Sequence, residues 1–352
     1  MIRHDLSMNT LHIAITTNNL IHILGLGFLG FATSMLITPI YTTIAYKKQW
    51  WKRQRTDAWS GGVAAVYQKL HAEKHKRNIP TMAGLIFVTA IFLASLANLN
   101  RGQTWLPLAG MLGAALIGLI DDAMNIRSSG KGVAGMSSKA KFSLYSIVAI
   151  IGGWWFYSKL GVTSIYLPLV HEWHIGIFVI ALFWLVVIAT SNSVNITDGL
   201  DGLAGGLLTS SFMAYAIICI VQGELALAGF CLIVIGSLLS YTWFNIFPAR
   251  FLMGDVGSFA LGTALGIIAM QTDTIYVLPI IGAVYVMETG SVIINRMSRK
   301  FRNGKKVFLS SPIHHHFEAI GWPETKVTMR FWIMGQVASA LGLIVFLFGR
   351  QG

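Results

Sequence analysis

Residues 225–247 read LALAGFCLIVIGSLLSYTWFNIF and contain no charged side chain. A helix of about 20 apolar residues is long enough to cross the hydrocarbon core of a bilayer, so this stretch predicts a membrane-spanning helix. Nine further apolar runs predict nine more spans. The complete set of predicted runs covers residues 21–46, 81–98, 105–120, 141–160, 174–191, 203–221, 225–247, 257–271, 274–295 and 329–349.

The overall composition supports the same class of protein. The chain has 352 residues, of which 55% are hydrophobic and 11% are charged, whereas soluble domains average about 25% charged residues. These values exclude an ordinary soluble enzyme, a disordered chain and a disulfide scaffold. Cys219 and Cys231 both lie inside apolar runs, which indicates buried side chains. We therefore expect one all-α, polytopic membrane domain over residues 1–352, with about ten transmembrane helices.

The basic residues predict the orientation of this domain. Twenty-one Lys and Arg residues fall in loops on one predicted side, against only Arg101 and Lys159 in the opposite loops. Cytoplasmic loops carry the excess of Lys and Arg. The basic loops, above all 47–80 and 296–328, are therefore predicted to be cytoplasmic, with both termini outside. Topology then accounts for the net charge of +12, and we expect no nucleic-acid partner.

Five of the fourteen acidic residues lie at or beside predicted cytoplasmic helix ends, namely Asp121, Asp122, Asp198, Asp201 and Asp255. Carboxylates near a membrane are costly and tend to mark function. Asp121 and Asp122 follow run 105–120, and a helix C-terminus disfavours negative charge. A divalent cation would offset that cost, and ligation by oxygen alone favours Mg²⁺. The other three are expected at helix N-termini, where negative charge is favoured.

The polar segment 192–206 is a second candidate region. Asn192, Asn195, Asp198 and Asp201 recur at every third position, so neighbouring pairs share a helix face or a tight turn. The glycines among them permit close backbone approach to a ligand. This pattern predicts a ligand-binding segment.

Three consecutive histidines, His314, His315 and His316, form a third candidate region. Consecutive side chains point in different directions, which disfavours a shared zinc ion. Hydrogen bonding to phosphate is the favoured interpretation. Glu288, inside run 274–295, is either functional or engaged in a structural hydrogen bond, and the sequence leaves both open.

Five motifs together carry a family resemblance. They are Pro80–Gly84, Asp121-Asp122, Asn192–Ala204, Trp243–Asn245 with Met253–Ser258, and Pro312–Trp322. In these motifs the chain resembles the polyprenyl-phosphate N-acetylhexosamine-1-phosphate transferase superfamily and, within it, the phospho-N-acetylmuramoyl-pentapeptide transferases. The histidine stretch ending in Gly321-Trp322-Pro323 distinguishes these from the transferases that use UDP-GlcNAc. Transfer of GlcNAc-1-phosphate is the first alternative, and an ion-coupled transporter is the second.

The resemblance implies a reaction between UDP-MurNAc-pentapeptide and undecaprenyl phosphate, with Mg²⁺ as cofactor. The products are lipid I, an intermediate of peptidoglycan synthesis, and UMP. The implied location is the bacterial cytoplasmic membrane, with the active site at its cytoplasmic face. A second copy of the chain, forming a homodimer, is a further candidate partner.

The resemblance also assigns residues. The implied catalytic residues are Asp121, Asp122, Asp255 and Lys141, with Asp255 on Mg²⁺ and Asp121 and Asp122 as further candidate ligands. The implied substrate-binding residues are Lys76, Thr81, Asn192, Asn195, Asp198, Asp201, Asn245, His314, His315 and His316. Ala83, Leu252 and Asn295 depart from the residues common in the family, which leaves uracil recognition open. A single displacement and a route through a covalent aspartyl intermediate both remain compatible with the sequence.

Overall fold

A computed structural model of the chain describes residues 16–51, 57–58, 62–63, 78–127, 135–168 and 171–349. The described part is mainly helical, as predicted. In chain order the helices are α1 (Thr17–Lys47), α2 (Gly84–Ser95), α3 (Trp105–Arg127), α4 (Ser138–Ser158), α5 (Val179–Thr197), α6 (Leu203–Gln222), α7 (Leu225–Asn245), α8 (Gly254–Gln271), α9 (Leu278–Ile281), α10 (Ala283–Phe301), α11 (Ile313–Ala319) and α12 (Glu324–Gly349). Short 3₁₀ turns cover Leu96–Asn98 and Gly176–Phe178.

Two antiparallel strand pairs interrupt the helices, and the all-α prediction did not include them. Strand β1 (Asp57–Ala58) pairs with β2 (Gly62–Val63), and β3 (Ser164–Leu167) pairs with β4 (His171–His174). Tyr166 ties the second pair to the helices, because its backbone N–H donates to Asp273 Oδ1 (2.8 Å) and its hydroxyl donates to the Gly349 carbonyl (2.5 Å). The hairpin β3–β4 therefore joins the C-terminal ends of α8 and α12.

In the part of the chain that the structure describes, six helical segments are long and apolar enough to cross a membrane: Thr17–Lys47, Trp105–Arg127, Gly176–Thr197, Leu203–Gln222, Leu225–Asn245 and Glu324–Gly349. The chain is therefore a multi-pass membrane protein. The remaining predicted runs correspond to α2, α4, α8 and α10, so the total of ten spans stays a prediction. Run 274–295 is not one helix, because α9 and α10 are separated at Gly282.

Several helix ends differ from the predicted runs. Helix α3 continues to Arg127 rather than ending near residue 120, and α5 continues to Thr197 rather than 191. Hydrogen bonds inside the bundle allow both extensions, because Asn125 donates to Asp121 in α3 and Asn195 of α5 donates to Ser258. The segment 296–328 is not a simple loop, because it contains the end of α10, all of α11 and the start of α12. Most of 47–80 lies outside the described residues.

Small residues set the contact between α1 and α7. The Ser34 hydroxyl donates to the Ser237 carbonyl, and the Ser237 hydroxyl donates to the Gly30 carbonyl, each at 3.2 Å. Gly236 lies directly against the carbonyl of Gly27. In lipid, helices associate through such close packing and interhelical hydrogen bonds rather than through the hydrophobic effect. These residues therefore determine how closely α1 and α7 approach.

Helix α8 lies at the centre of the bundle. It packs against α3 on one side and α5 on another. All of its residues are buried except Asp255, near its start, and Gln271, at its end. Asp255, the one carboxylate of α8, therefore lies in the first turn of a helix that is otherwise almost completely buried.

We expect Gly236→Ala to destabilise the protein by about 1–3 kcal/mol, because overpacking forces neighbouring elements apart. The added methyl group would overlap the Gly27 carbonyl. The measurement is the midpoint of thermal unfolding in detergent. Gly25→Ala is the matched control, because a methyl group there meets no atom within 4 Å. Equal midpoints for the two variants would contradict this account of the α1–α7 contact.

Candidate active site

Three carboxylates predicted to act together converge at one place. Asp121 and Asp122 come from α3, and Asp255 comes from the first turn of α8. One carboxylate oxygen from each lies within 4.8 Å of the other two. Gly118 makes this possible, since a methyl group there would lie 2.5 Å from the Asp255 carbonyl oxygen. The predicted convergence of these residues is observed.

Lys141, in the first turn of α4, bridges two of the carboxylates. Its Nζ lies 2.7 Å from Asp121 Oδ2 and 2.6 Å from Asp255 Oδ2. The side chains of Asp121 and Asp255 are 1% and 13% exposed, so access to the cluster is through Asp255 and Lys141. Among the described residues, Lys141 brings one ammonium group to a largely buried site that holds three carboxylates.

This donor set fits a divalent cation. Among the described residues, the group of His, Cys, Asp or Glu side chains close enough to share one ion is Asp121, Asp122 and Asp255. All three offer oxygen, which is the ligand type that Mg²⁺ prefers in proteins. Within the described ranges, the three histidines of α11 are not part of this group.

The two carboxylates on α3 are held by specific donors. Asp121 accepts hydrogen bonds from the Met136 backbone N–H (2.6 Å) and from Asn125 Nδ2 (2.9 Å). Asp122 Oδ2 accepts from the backbone N–H of Val256 (3.1 Å). This N–H belongs to the first turn of α8, where helix amides lack intrahelical partners and favour negative charge. Asp122 therefore lies near the C-terminal end of its own helix but is stabilised by the N-terminal end of a second helix.

Asn195 connects the polar segment to the carboxylates. Its Nδ2 donates to Ser258 Oγ (2.8 Å) and lies 3.3 Å from Asp255 Oδ1. The bond is possible because α5 continues to Thr197, which places Asn195 in the helix instead of in a loop. Asn192 Nδ2 donates to the Ile188 carbonyl of the same helix. Asp198 follows the last residue of α5, so its predicted position at a helix N-terminus was wrong.

Asp201 and Asn245 form hydrogen bonds between the turn before α6 and the segment that connects α7 to α8. Asp201 Oδ2 accepts from the Ala249 backbone N–H at 3.0 Å. Asn245 accepts from the Gly202 N–H and donates to the Phe251 carbonyl, both at 2.9 Å. These bonds fix the turn before α6 against the connection from α7 to α8. Direct binding of substrate by either side chain stays a prediction.

Thr81 lies three residues before the start of α2 and close to Asp122. Its backbone N–H donates to the Trp50 carbonyl (2.7 Å), and its carbonyl accepts from the Tyr41 hydroxyl (2.6 Å). Gly254 separates Thr81 Oγ1 from Asp122, since a methyl group at Gly254 would lie 3.0 Å and 2.5 Å from their oxygens. Lys76 lies outside the described residues, so its predicted role stays untested.

The three histidines on α11 have three different partners. His314 Nδ1 lies 2.9 Å from Glu288 Oε2, and His315 Nδ1 lies 2.7 Å from Glu318 Oε2. His316 Nδ1 accepts from the backbone N–H of Leu309 at 3.2 Å. In each ring Nδ1 is engaged by the protein, and among the described residues Nε2 of His314 has no hydrogen-bond partner.

Sequence reasoning missed three supporting residues. Asn125 lies one helical turn after Asp121, a spacing that could have identified it. Ser258 lies one turn after Gly254 in α8, within a quoted motif, but its bond to Asn195 joins distant segments. Asn295 accepts from the N–H groups of Val307 and Phe308 at 3.0 and 2.9 Å, which fastens that segment to α10.

Phe251 and Leu252 lie in the region where the resemblance left uracil recognition open. Phe251, one position from the departure at Leu252, is 1% exposed and packs against Tyr41, Tyr241 and Phe244. It is therefore a core residue rather than a platform for a base. The Leu252 backbone bonds to Pro80 and Ala83.

The protein is a membrane-embedded helical bundle with a carboxylate cluster at the start of a buried helix. Residues 104–273 of the chain match the family described as "Glycosyl transferase family 4". That range begins beside α3, ends just after α8 and includes all three carboxylates and Lys141. Proteins named phospho-N-acetylmuramoyl-pentapeptide-transferase in Chloroflexus aggregans and Chloroflexus aurantiacus are each 32% identical over 351 residues. These alignments cover 96% of this chain and 93% of each relative. The chain belongs to the phospho-N-acetylmuramoyl-pentapeptide transferase family.

We expect Lys141→Met to lower the midpoint of thermal unfolding by several degrees in metal-free buffer, because removing one partner of a largely buried ion pair is destabilising. Added MgCl₂ should raise the midpoint more in this variant than in the unmodified protein. Differential scanning fluorimetry in detergent measures both. Lys139→Met, at an exposed position one residue into the same helix, is the control. Identical responses to Mg²⁺ in both variants would count against a cation at this cluster.

Proposed function

We propose that the chain transfers phospho-MurNAc-pentapeptide from UDP-MurNAc-pentapeptide to undecaprenyl phosphate, forming lipid I and UMP in peptidoglycan synthesis. The observation that carries the proposal is the cluster of Asp121, Asp122 and Asp255 bridged by Lys141. Membership in a family whose relatives carry that activity in their names supports it. The histidines of α11 favour the muramoyl-pentapeptide donor over UDP-GlcNAc.

We further propose ten transmembrane spans in the bacterial cytoplasmic membrane, with both termini outside and the site at the cytoplasmic face. The asymmetry of Lys and Arg between loops supports this orientation. The reaction joins a membrane-soluble acceptor to a water-soluble, highly anionic donor. The ends of the spans are the place that both substrates can reach. A homodimer stays a prediction.

In this mechanism Asp255, with Asp121 and Asp122, would hold Mg²⁺. A bound divalent ion neutralises charge on the phosphates of the donor and on the departing UMP. Lys141 contributes a second positive charge beside the same oxygens, and its contacts to Asp121 and Asp255 hold its ammonium group in place. Electrostatic stabilisation of developing phosphate charge is the main contribution expected of such a site.

The attacking group is an oxygen of the acceptor phosphate. A phosphate monoester has a second pKa near ~6, so most of it is already deprotonated at neutral pH. The demand on a general base is therefore small, and Asp121 or Asp122 would serve to orient the acceptor or remove a residual proton. Asn195 keeps Asp255 in position through its amide, while the nucleotide-sugar would lie along the segment 192–202 and the histidines of α11.

The proposal predicts lipid I formation by the purified protein in detergent, given UDP-MurNAc-pentapeptide, undecaprenyl phosphate and Mg²⁺. Asp255→Asn should lower turnover at least ~10³-fold, the scale seen when a main electrostatic group is removed, with little change in thermal stability. Asp273→Asn, just beyond the opposite end of α8, is the control and should retain turnover. Full activity in Asp255→Asn, or preferential use of UDP-GlcNAc, would refute the proposal.

The orientation predicts which engineered cysteines react with a membrane-impermeant maleimide in intact spheroplasts. His171→Cys, exposed in the β3–β4 hairpin, should label from outside, whereas Lys305→Cys should label only after permeabilisation. Cys219 and Cys231 are buried and should give little background. Labelling of residue 305 in intact cells would reverse the proposed orientation.

A further inference from the structure

Glu288 and His314 form a fully buried pair, and its acidic member has no role in the mechanism above. Glu288 lies in α10 and His314 in α11, and both side chains are 0% exposed. His314 Nδ1 and Glu288 Oε2 are 2.9 Å apart. The backbone N–H of His314 also points to this oxygen, at a longer distance of 3.5 Å. A carboxylate enclosed inside a membrane protein is costly unless a partner compensates it.

The charge balance of the pair determines where the ring carries its hydrogen. The pair is neutral overall when one proton lies between Nδ1 and Oε2 and a second proton is on Nε2. Removing the proton from Nε2 would leave a net negative charge in an enclosed, low-dielectric site, which is the unfavourable alternative. Whichever partner holds the shared proton, Nε2 of His314 is therefore an N–H donor.

This donor faces the segment that carries the candidate substrate ligands. Nε2 lies directly against Gly199, where any side chain would overlap the ring. Within the described part of the chain, Nε2 is buried and has no hydrogen-bond partner. Gly199 follows Asp198 and is four residues from Asn195, whose amide contacts Asp255. A buried donor without an acceptor is costly, so its position beside this segment indicates an acceptor supplied by a ligand.

The neighbouring rings follow the same arrangement. His315 has its Nδ1 on Glu318, and His316 accepts at Nδ1 from the Leu309 backbone, which places its hydrogen on Nε2. The three consecutive rings therefore all engage Nδ1 with the protein. His314 differs from the other two because it and its acidic partner are completely enclosed.

We propose that Glu288 is a positioning residue that keeps His314 Nε2 protonated and directed at an anionic oxygen of the nucleotide-sugar diphosphate. The inference rests on the proposed function and identifies how one histidine recognises that substrate. Glu288 does not itself touch the substrate, since it acts through His314. In Glu288→Gln the amide oxygen is favoured at this place, because the His314 backbone N–H also points to it. That oxygen accepts from Nδ1–H, and the neutral ring is left without a hydrogen on Nε2.

The first test is a cycle of Glu288→Gln, His314→Gln and the double variant, assayed as kcat/KM for UDP-MurNAc-pentapeptide. Each single variant should lose about tenfold or more, the usual scale for a hydrogen bond to a charged group. Because Glu288 acts only through His314, adding Glu288→Gln to His314→Gln should change kcat/KM less than twofold. Losses that multiply would overturn the proposal.

The second test separates phosphate recognition from a general structural role. Calorimetry measures the affinities of UDP and uridine, in the presence of Mg²⁺, for each variant. Glu288→Gln should reduce the preference for UDP over uridine about tenfold and leave uridine binding unchanged. An equal loss for both probes, or no loss for UDP, would overturn the proposal. Glu224→Gln, which precedes α7 and is partly buried, is the matched control and should bind both probes normally.

These measurements also separate a failure of the proposed reaction from a failure of the proposed role of Glu288. If the unmodified protein binds UDP but makes no lipid I, the proposed function fails while the binding comparison still tests the pair. If lipid I forms and the preference for UDP is unaffected by Glu288→Gln, the function stands and the role of Glu288 is refuted.

Discussion

The mutual repulsion of three carboxylates is the constraint on which the rest of the site depends. Asp121, Asp122 and Asp255 each place an oxygen within 4.8 Å of the others, two of them almost without solvent. At such distances like charges in a low-dielectric site repel strongly. The fold answers with the ammonium group of Lys141 and with the backbone N–H of Val256 at the start of α8. All three carboxylates offer oxygen, the ligand type that Mg²⁺ prefers, so the same group of side chains fits a divalent cation.

Close helix contacts bring those charges together. Gly118 lets α3 approach the first turn of α8, and Gly262 lies against the backbone of Ser191 on α5. Replacing either with a larger residue would separate the helices that supply Asp122, Asn195 and Asp255. Small residues therefore have two roles here, because they hold the bundle together in lipid and they set the spacing of its polar groups.

Much of the helical framework could be predicted from sequence, because each long apolar run had to hide its backbone polar groups inside a helix. The convergence of Asp121 and Asp255 was also predictable, since charges are scarce and these lie at helix ends. Exact helix ends were not, because Asn195 is helical only by virtue of Ser258 and Asp255 on another element. The structural bonds of Asn245 and the pairing of Glu288 with His314 join residues too distant in the chain for a local pattern to reveal.

Because α8 is enclosed by other helices, it is separated from the lipid around the protein. Because every residue of this helix between Val256 and Met270 is buried, α8 has no surface in contact with acyl chains. Changes in bilayer thickness or lipid composition therefore affect the position of Asp255 only by moving the helices that surround α8. The body of α8 is thus shielded from acyl chains, and adaptation to a different lipid environment falls to the outer helices.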